Sequence, residues 1–178
     1  MEYEKDRLKL KIKDIGYLRK IVLCILATIV LIAFDQVTKA IAQNFLSGKG
    51  IVNVLGDFVI LEFIKNRGAF LSVGHELDNA VWMAVFVIIP VIVLCAISVY
   101  IIAKKISDTF YLSMWVLVLS GGLGNLIDRV FEGKVTDFMN IGIGTLRTGI
   151  FNVADLYIVF FTAAVTVKFL LSSLRPSP

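Results

Sequence analysis

The stretch AVWMAVFVIIPVIVLCAISVYIIA, residues 80–103, contains no charged side chain. It is long enough to cross the hydrocarbon of a bilayer, which takes about 20 apolar residues. Segments 21–42, 110–127 and 153–171 have a similar length and polarity. Apolar residues make up 58% of the 178-residue chain, above the roughly one half usual in a soluble domain. The chain therefore reads as an all-α membrane protein, one integral domain over 1–178 with four transmembrane helices. The first apolar run lacks a small-x-small cleavage site and similar runs follow it, so a permanent anchor is expected and not a removable signal peptide. Pro90 is expected to kink the second span, which neighbouring helices can accommodate.

Charge sets the expected orientation. The tail at 1–20 carries Lys5, Arg7, Lys9, Lys11, Lys13, Arg19 and Lys20 against Glu2, Glu4, Asp6 and Asp14. Such a tail beside an apolar run points to anionic lipid headgroups and not to nucleic acid. With an even number of spans, the tail, Lys104, Lys105, Lys168 and Arg175 fall on one side, which the positive-inside rule makes the cytoplasm: N-in, C-in. The connections 43–79 and 128–152 then face outward. Within the first, residues 51–64 are rich in Val, Ile and Phe around a Gly56-Asp57 turn signal. A small extracytoplasmic β-rich platform is expected there, able to grip an extended peptide.

Several polar residues sit where lipid does not tolerate them. Asp35 and Lys39, four apart, share one helix face near the outer end of the first span. Two readings stand open: an internal ion pair that anchors the helix, or contact with a substrate. The third span ends Ser120-Gly-Gly-Leu-Gly-Asn-Leu-Ile-Asp-Arg129. Its glycines permit close helix packing. Asn125, Asp128 and Arg129 are candidates to bind a headgroup or peptide carbonyl, a snorkelling interfacial residue being the alternative for Arg129. Asn152 and Asp155 have the spacing of a capping box at the start of the fourth span. That spacing accounts for Asp155 but not for a second acid, Asp137, in the apolar run Val135-Thr136-Asp137-Phe138.

The inventory excludes several hydrolase chemistries. Cys24 and Cys95 lie in apolar runs, which disfavours a disulfide framework, a metal cluster or a reactive thiolate. The single histidine, His75, reads as a surface loop residue and rules out an H-E-x-x-H zinc site. No G-x-S-x-G elbow is present, and Ser120 has no evident base. Paired carboxylates remain. Two close aspartates cannot both ionise easily, so one accepts a proton from water while the other donates to the scissile carbonyl. The pair titrates as a unit. Two rivals use the same acids: a transporter or channel, which would be expected to show repeat symmetry or matched broken helices, and a module that holds lipidated proteins without cutting them. The second has no need of acids sharing a proton.

Five motifs occur in order: Asp35-Gln36-Val37-Thr38-Lys39, Asn66-Arg67-Gly68-Ala69-Phe70, Gly124-Asn125-Leu126-Ile127-Asp128-Arg129, Val135-Thr136-Asp137-Phe138 and Phe151-Asn152-Val153-Ala154-Asp155. In these the chain resembles bacterial lipoprotein signal peptidase, or signal peptidase II, an aspartyl peptidase family. The resemblance implies that Asp137 and Asp155 are the catalytic dyad, and that Asp35, Lys39, Asn66, Gly68, Asn125, Arg129 and Asn152 line or support the substrate site. It also implies cleavage of a diacylglyceryl-modified prolipoprotein just before the lipidated cysteine, at the outer face of the bacterial cytoplasmic membrane. No metal or organic cofactor is implied; the implied partners are prolipoproteins, membrane lipids and globomycin-type inhibitors. The family commonly carries two alanines before the phenylalanine of the second motif, where this chain has only Ala69.

Overall fold

A computed structural model describes residues 1–68 and 73–174, with 2, 5, 6 and 8–13 described by backbone only. Four helices, each with a stretch long and apolar enough to cross a membrane, form the bundle. They are α1 (Glu2–Leu46), α2 (Asn79–Ala103), α3 (Thr109–Glu132) and α4 (Val153–Ser173). α1 begins well before its apolar run, so the basic tail continues the helix of the first span. α2 meets Pro90 with a π-helical turn over Ala84–Ile88 and continues beyond it. Asp108 caps α3 by accepting from Tyr111 N, and Gly133 ends that helix in the left-handed region at φ 68°.

α3 is the central helix, because its small residues face three neighbours at once. A Cβ added at Gly121 would lie 2.6 Å from the Ala154 carbonyl oxygen of α4, and one at Gly122 would lie 2.8 Å from Leu94 Cδ1 of α2. At Gly124 it would lie 2.8 Å from Asp35 Oδ2 of α1. The Leu94 tip can swing aside, whereas the Asp35 carboxylate is held by several partners. Gly124→Ala is therefore expected to cost about 1–3 kcal/mol, and Gly122→Ala less, read as detergent unfolding midpoints.

A four-stranded antiparallel sheet of order β1-β2-β3-β4 covers one end of the bundle. Its strands are β1 (Val52–Leu55), β2 (Val59–Asn66), β3 (Val135–Ile143) and β4 (Leu146–Arg147). Gly56, at φ 53°, makes the expected turn between β1 and β2, and Phe58 N donates to Leu55 O at 3.0 Å. The sheet joins both long connections, since β2 pairs with β3 in a register that sets Ile64 opposite Asp137 and Asn66 opposite Val135. Alternation along β3 splits its side chains. Phe138 packs with Ala42, Leu46 and Val153 in an apolar cluster, and Asp137 points to the other face.

The opposite end is tied by polar contacts. Lys20 Nζ donates to Ser107 O, Tyr17 Oη donates to Ile101 O, and Lys105 pairs with Asp14 at 2.7 Å.

Candidate active site

Asp137 and Asp155 reach one place because the chain is pinned just before α4. Phe151 N donates to Met139 O, and Met139 N donates to Phe151 O, each at 2.8 Å. This bridge lays the α4 entrance along β3, two residues from Asp137. Asn152 follows, fully buried, and forms the expected capping box. Asp155 N donates to Asn152 Oδ1 at 3.0 Å, and Asn152 N donates to Asp155 Oδ2 at 3.1 Å. With its oxygen committed to the helix end, Asn152 can offer only its NH2 elsewhere. It donates to Asp137 Oδ1 at 2.6 Å and to Asn125 Oδ1 at 3.1 Å. One residue thus caps a helix and links the two acids. Its place in the capping box does not keep Asp155 from lining the same cavity as Asp137.

Three more amides complete the frame. Asn66 lies diagonal to Asp137 across the β2–β3 pair, within side-chain reach, and its Nδ2 donates to Asp137 Oδ2 at 3.0 Å. Gly68 N in turn donates to Asn66 Oδ1 at 2.9 Å. Lys39, which can only donate, fixes the orientation of Asn125 by taking its Oδ1 at 3.1 Å. Asn125 Nδ2 is thereby aimed at Asp155 Oδ1, 2.8 Å away.

Behind these residues is a buried ionic network. Lys39, 4% exposed, bridges Asp35 at 2.8 Å and Asp128 at 3.1 Å. Asp35, 0% exposed, also accepts from Ala154 N at 2.8 Å, so α1 caps α4. Asp128 accepts from Thr136 N at 3.0 Å, which ties α3 to the strand of Asp137. Gln36 Nε2 reaches Asp35, Asp128 and the Gly124 carbonyl. Lysine, two acids and a glutamine therefore join three helices and the sheet.

In front of the acids lies a cavity of about 450 Å³ lined by Asn66, Gly68, Asn125, Arg129, Asp137 and Asp155 on its polar side. Pro90, Gly122, Ile150, Ile158 and Val159 form its apolar side. Of the residues expected from sequence, Asn66, Gly68, Asn125, Arg129, Asp137 and Asp155 face this space. Asp35, Lys39 and Asn152 stand behind it and brace it. Ala69 and Phe70 of the second motif lie outside the described residues, as does Arg175. Gln36 was within a quoted motif but not singled out. Ile150, Ile158 and Val159 of the apolar wall were not singled out, since they are indistinguishable in sequence from other apolar residues that face lipid.

Burial pushes the Asp137 carboxyl from its ordinary 3.8 up to about 6, the Asp155 charge adding to the rise while hydrogen bonds from Asn66 and Asn152 oppose it. The folded protein therefore binds the Asp137 proton more tightly than the unfolded chain. The stability this contributes is complete below about pH 3.8 and lost as the pH rises through about 6. A gap of roughly two pH units corresponds to about 3 kcal/mol. Asp137→Asn is expected to flatten the fall in detergent unfolding midpoint between pH 4 and 7. An unchanged slope would mean that Asp137 is ionised throughout.

Residues 27–171 match the family model described as signal peptidase (SPase) II. A lipoprotein signal peptidase of Borrelia turicatae is 36% identical over 73% of this chain and 79% of its own length. Those of Treponema denticola and Streptococcus agalactiae are 31% and 35% identical, over 84% and 79% of this chain and 90% and 86% of their own lengths. A bacterial membrane enzyme solved by the in meso method is similar in structure at a TM-score of 0.73 and 29% identity, covering 88% of this chain and 93% of that one. A second enzyme solved in the same way gives 0.65 and 31%, covering 87% and 94%.

Proposed function

The chain belongs to the signal peptidase II family, and from that membership we propose that it removes signal peptides from prolipoproteins with Asp137 and Asp155 sharing one proton. The ionised member takes a proton from a water between them, and the water oxygen attacks the scissile carbonyl carbon. The protonated member donates to the carbonyl oxygen; the C–N bond of the resulting diol then breaks, the proton taken from water passing to the leaving amine and a hydroxyl proton returning to the dyad. The observation that carries this reading is the meeting of both carboxylates on one cavity, each oriented by amide donors. Arg129 and Gly68 are the groups we assign to binding peptide carbonyls. Asp35, Lys39 and Asn152 hold the frame. The apolar wall between α2, α3 and α4 suits the acyl chains of a diacylglyceryl cysteine, whose burial would fix the scissile bond beside the acids. Globomycin-type cyclic peptides would compete for the same space.

Lys20, Lys104, Lys105 and Lys168 lie toward the end away from the sheet. By the positive-inside rule that end is cytoplasmic, which sets the cavity at the outer face of a bacterial cytoplasmic membrane. Water, which the reaction consumes, is available there.

The test is cleavage by purified protein in detergent. A diacylglyceryl-modified prolipoprotein is expected to shorten by its signal peptide, with the new N-terminus at the lipidated cysteine, while the unlipidated precursor stays intact. Failure to cut the lipidated form would end the proposal. Equal cutting of both forms would remove the role given to the apolar wall.

A further inference from the structure

Arg129 is held in an unusual way for a cation facing acids. Among the described residues its Nε is buried without a hydrogen-bond partner, and Nη2 reaches the Gly68 carbonyl at only 3.4 Å. Beneath the guanidinium lies the ring of Phe86, its centroid 5.5 Å from Cζ.

The backbone explains how the ring comes to be there. In a regular α-helix, Pro90 could give no hydrogen bond to the Phe86 carbonyl four residues back, and its ring would press on that carbonyl. The π-helical turn over Ala84–Ile88 widens the helix at this point, with Phe86 at its centre. Neighbours then fix the ring. Trp82 packs at 6.0 Å between centroids and is itself anchored by its indole N–H to Arg67 O at 2.6 Å. Gly74 approaches so closely that an added Cβ would lie 2.8 Å from Phe86 Cζ.

We propose that Phe86 is a positioning residue for the peptidase reaction, its ring face holding Arg129 over the two aspartates. An acidic partner would occupy the N–H donors of the guanidinium and add negative charge beside a pair that must keep one proton. A ring attracts the cation through its π face and leaves those donors to substrate carbonyls. This rests on the reading of Arg129 as a substrate ligand.

The test compares Phe86→Leu with pentafluorophenylalanine at position 86, which keeps nearly the same shape but reverses the ring's charge distribution. Cleavage of lipidated prolipoprotein is measured for each with an unfolding midpoint. Leucine and the fluorinated ring are expected to lower kcat/KM roughly 3- to 30-fold, part of it as a rise in KM, because Arg129 meets the substrate carbonyls before the reaction. In an Arg129→Gln background, Phe86→Leu is expected to add nothing further. Full activity of the fluorinated enzyme, or an undiminished Phe86→Leu effect in that background, overturns the proposal. Full activity of Arg129→Gln alone would instead overturn the reading of Arg129 and take this inference with it. The fluorinated variant decides the matter if leucine impairs folding.

Discussion

Asp137→Asn and Asp155→Asn are each expected to lower kcat for lipidated prolipoprotein by at least about 10³-fold, with the protein still inserted and folded. An asparagine keeps the size of the carboxyl and one of its two acceptors, but it can neither accept the proton from water nor donate one as an acid. The two losses should not multiply. Residues acting as one unit fail together, so the double variant is expected to be no worse than the worse single one. Stability separates this outcome from general damage. Asp137→Asn removes a charge whose burial is unfavourable but turns its NH2 toward the Asn66 or Asn152 amide donor, so its unfolding midpoint at pH 7 is expected to change little. Asp155→Asn disturbs the capping box with Asn152 and is expected to cost about 1 kcal/mol. An activity loss that followed the unfolding midpoint, in place of the identity of the acid, would sink the dyad.

Lys39→Met is expected to be the most destabilising single change, at about 3–5 kcal/mol. The substitution keeps the length and apolar stem of the side chain. What it takes away is the charge paired with both Asp35 and Asp128, leaving two buried acids, 0% and 6% exposed, without that cation. It also releases the Asn125 oxygen and with it the orientation of the amide toward Asp155. Adding Asp128→Asn should recover part of the stability, because asparagine can still accept from Thr136 N while removing one unpaired charge. Equilibrium unfolding in mixed micelles would check this. If Lys39→Met kept normal stability but lost activity, Lys39 would be a substrate ligand, the other of the two roles its position in the first span left open.

Much of this protein could be read from local pattern. Apolar length alone sets the four spans, since every backbone polar group inside lipid must be satisfied within its own helix. The Gly56-Asp57 turn and the Asn152–Asp155 capping box are contacts between residues at most three apart, and both formed as their spacing implied. The residue inventory left a carboxylate pair as the chemistry.

Where each polar group points was beyond such patterns. Asp35 meets Ala154, Gln36 meets Asp128, and Asn66 meets Asp137 across long stretches of chain, and spacing along one helix cannot encode a partner on another. The division between Asn125 and Arg129 at the cavity and Asp35, Lys39 and Asn152 behind it follows from how α3 packs on three neighbours through its glycines. The place of Phe86 follows from a widened turn before Pro90, whose direction of opening depends on what packs beside it. Helix and turn formation answer to forces that act within a few residues; the cavity exists because distant segments exclude lipid together while leaving one face of their polar frame uncovered.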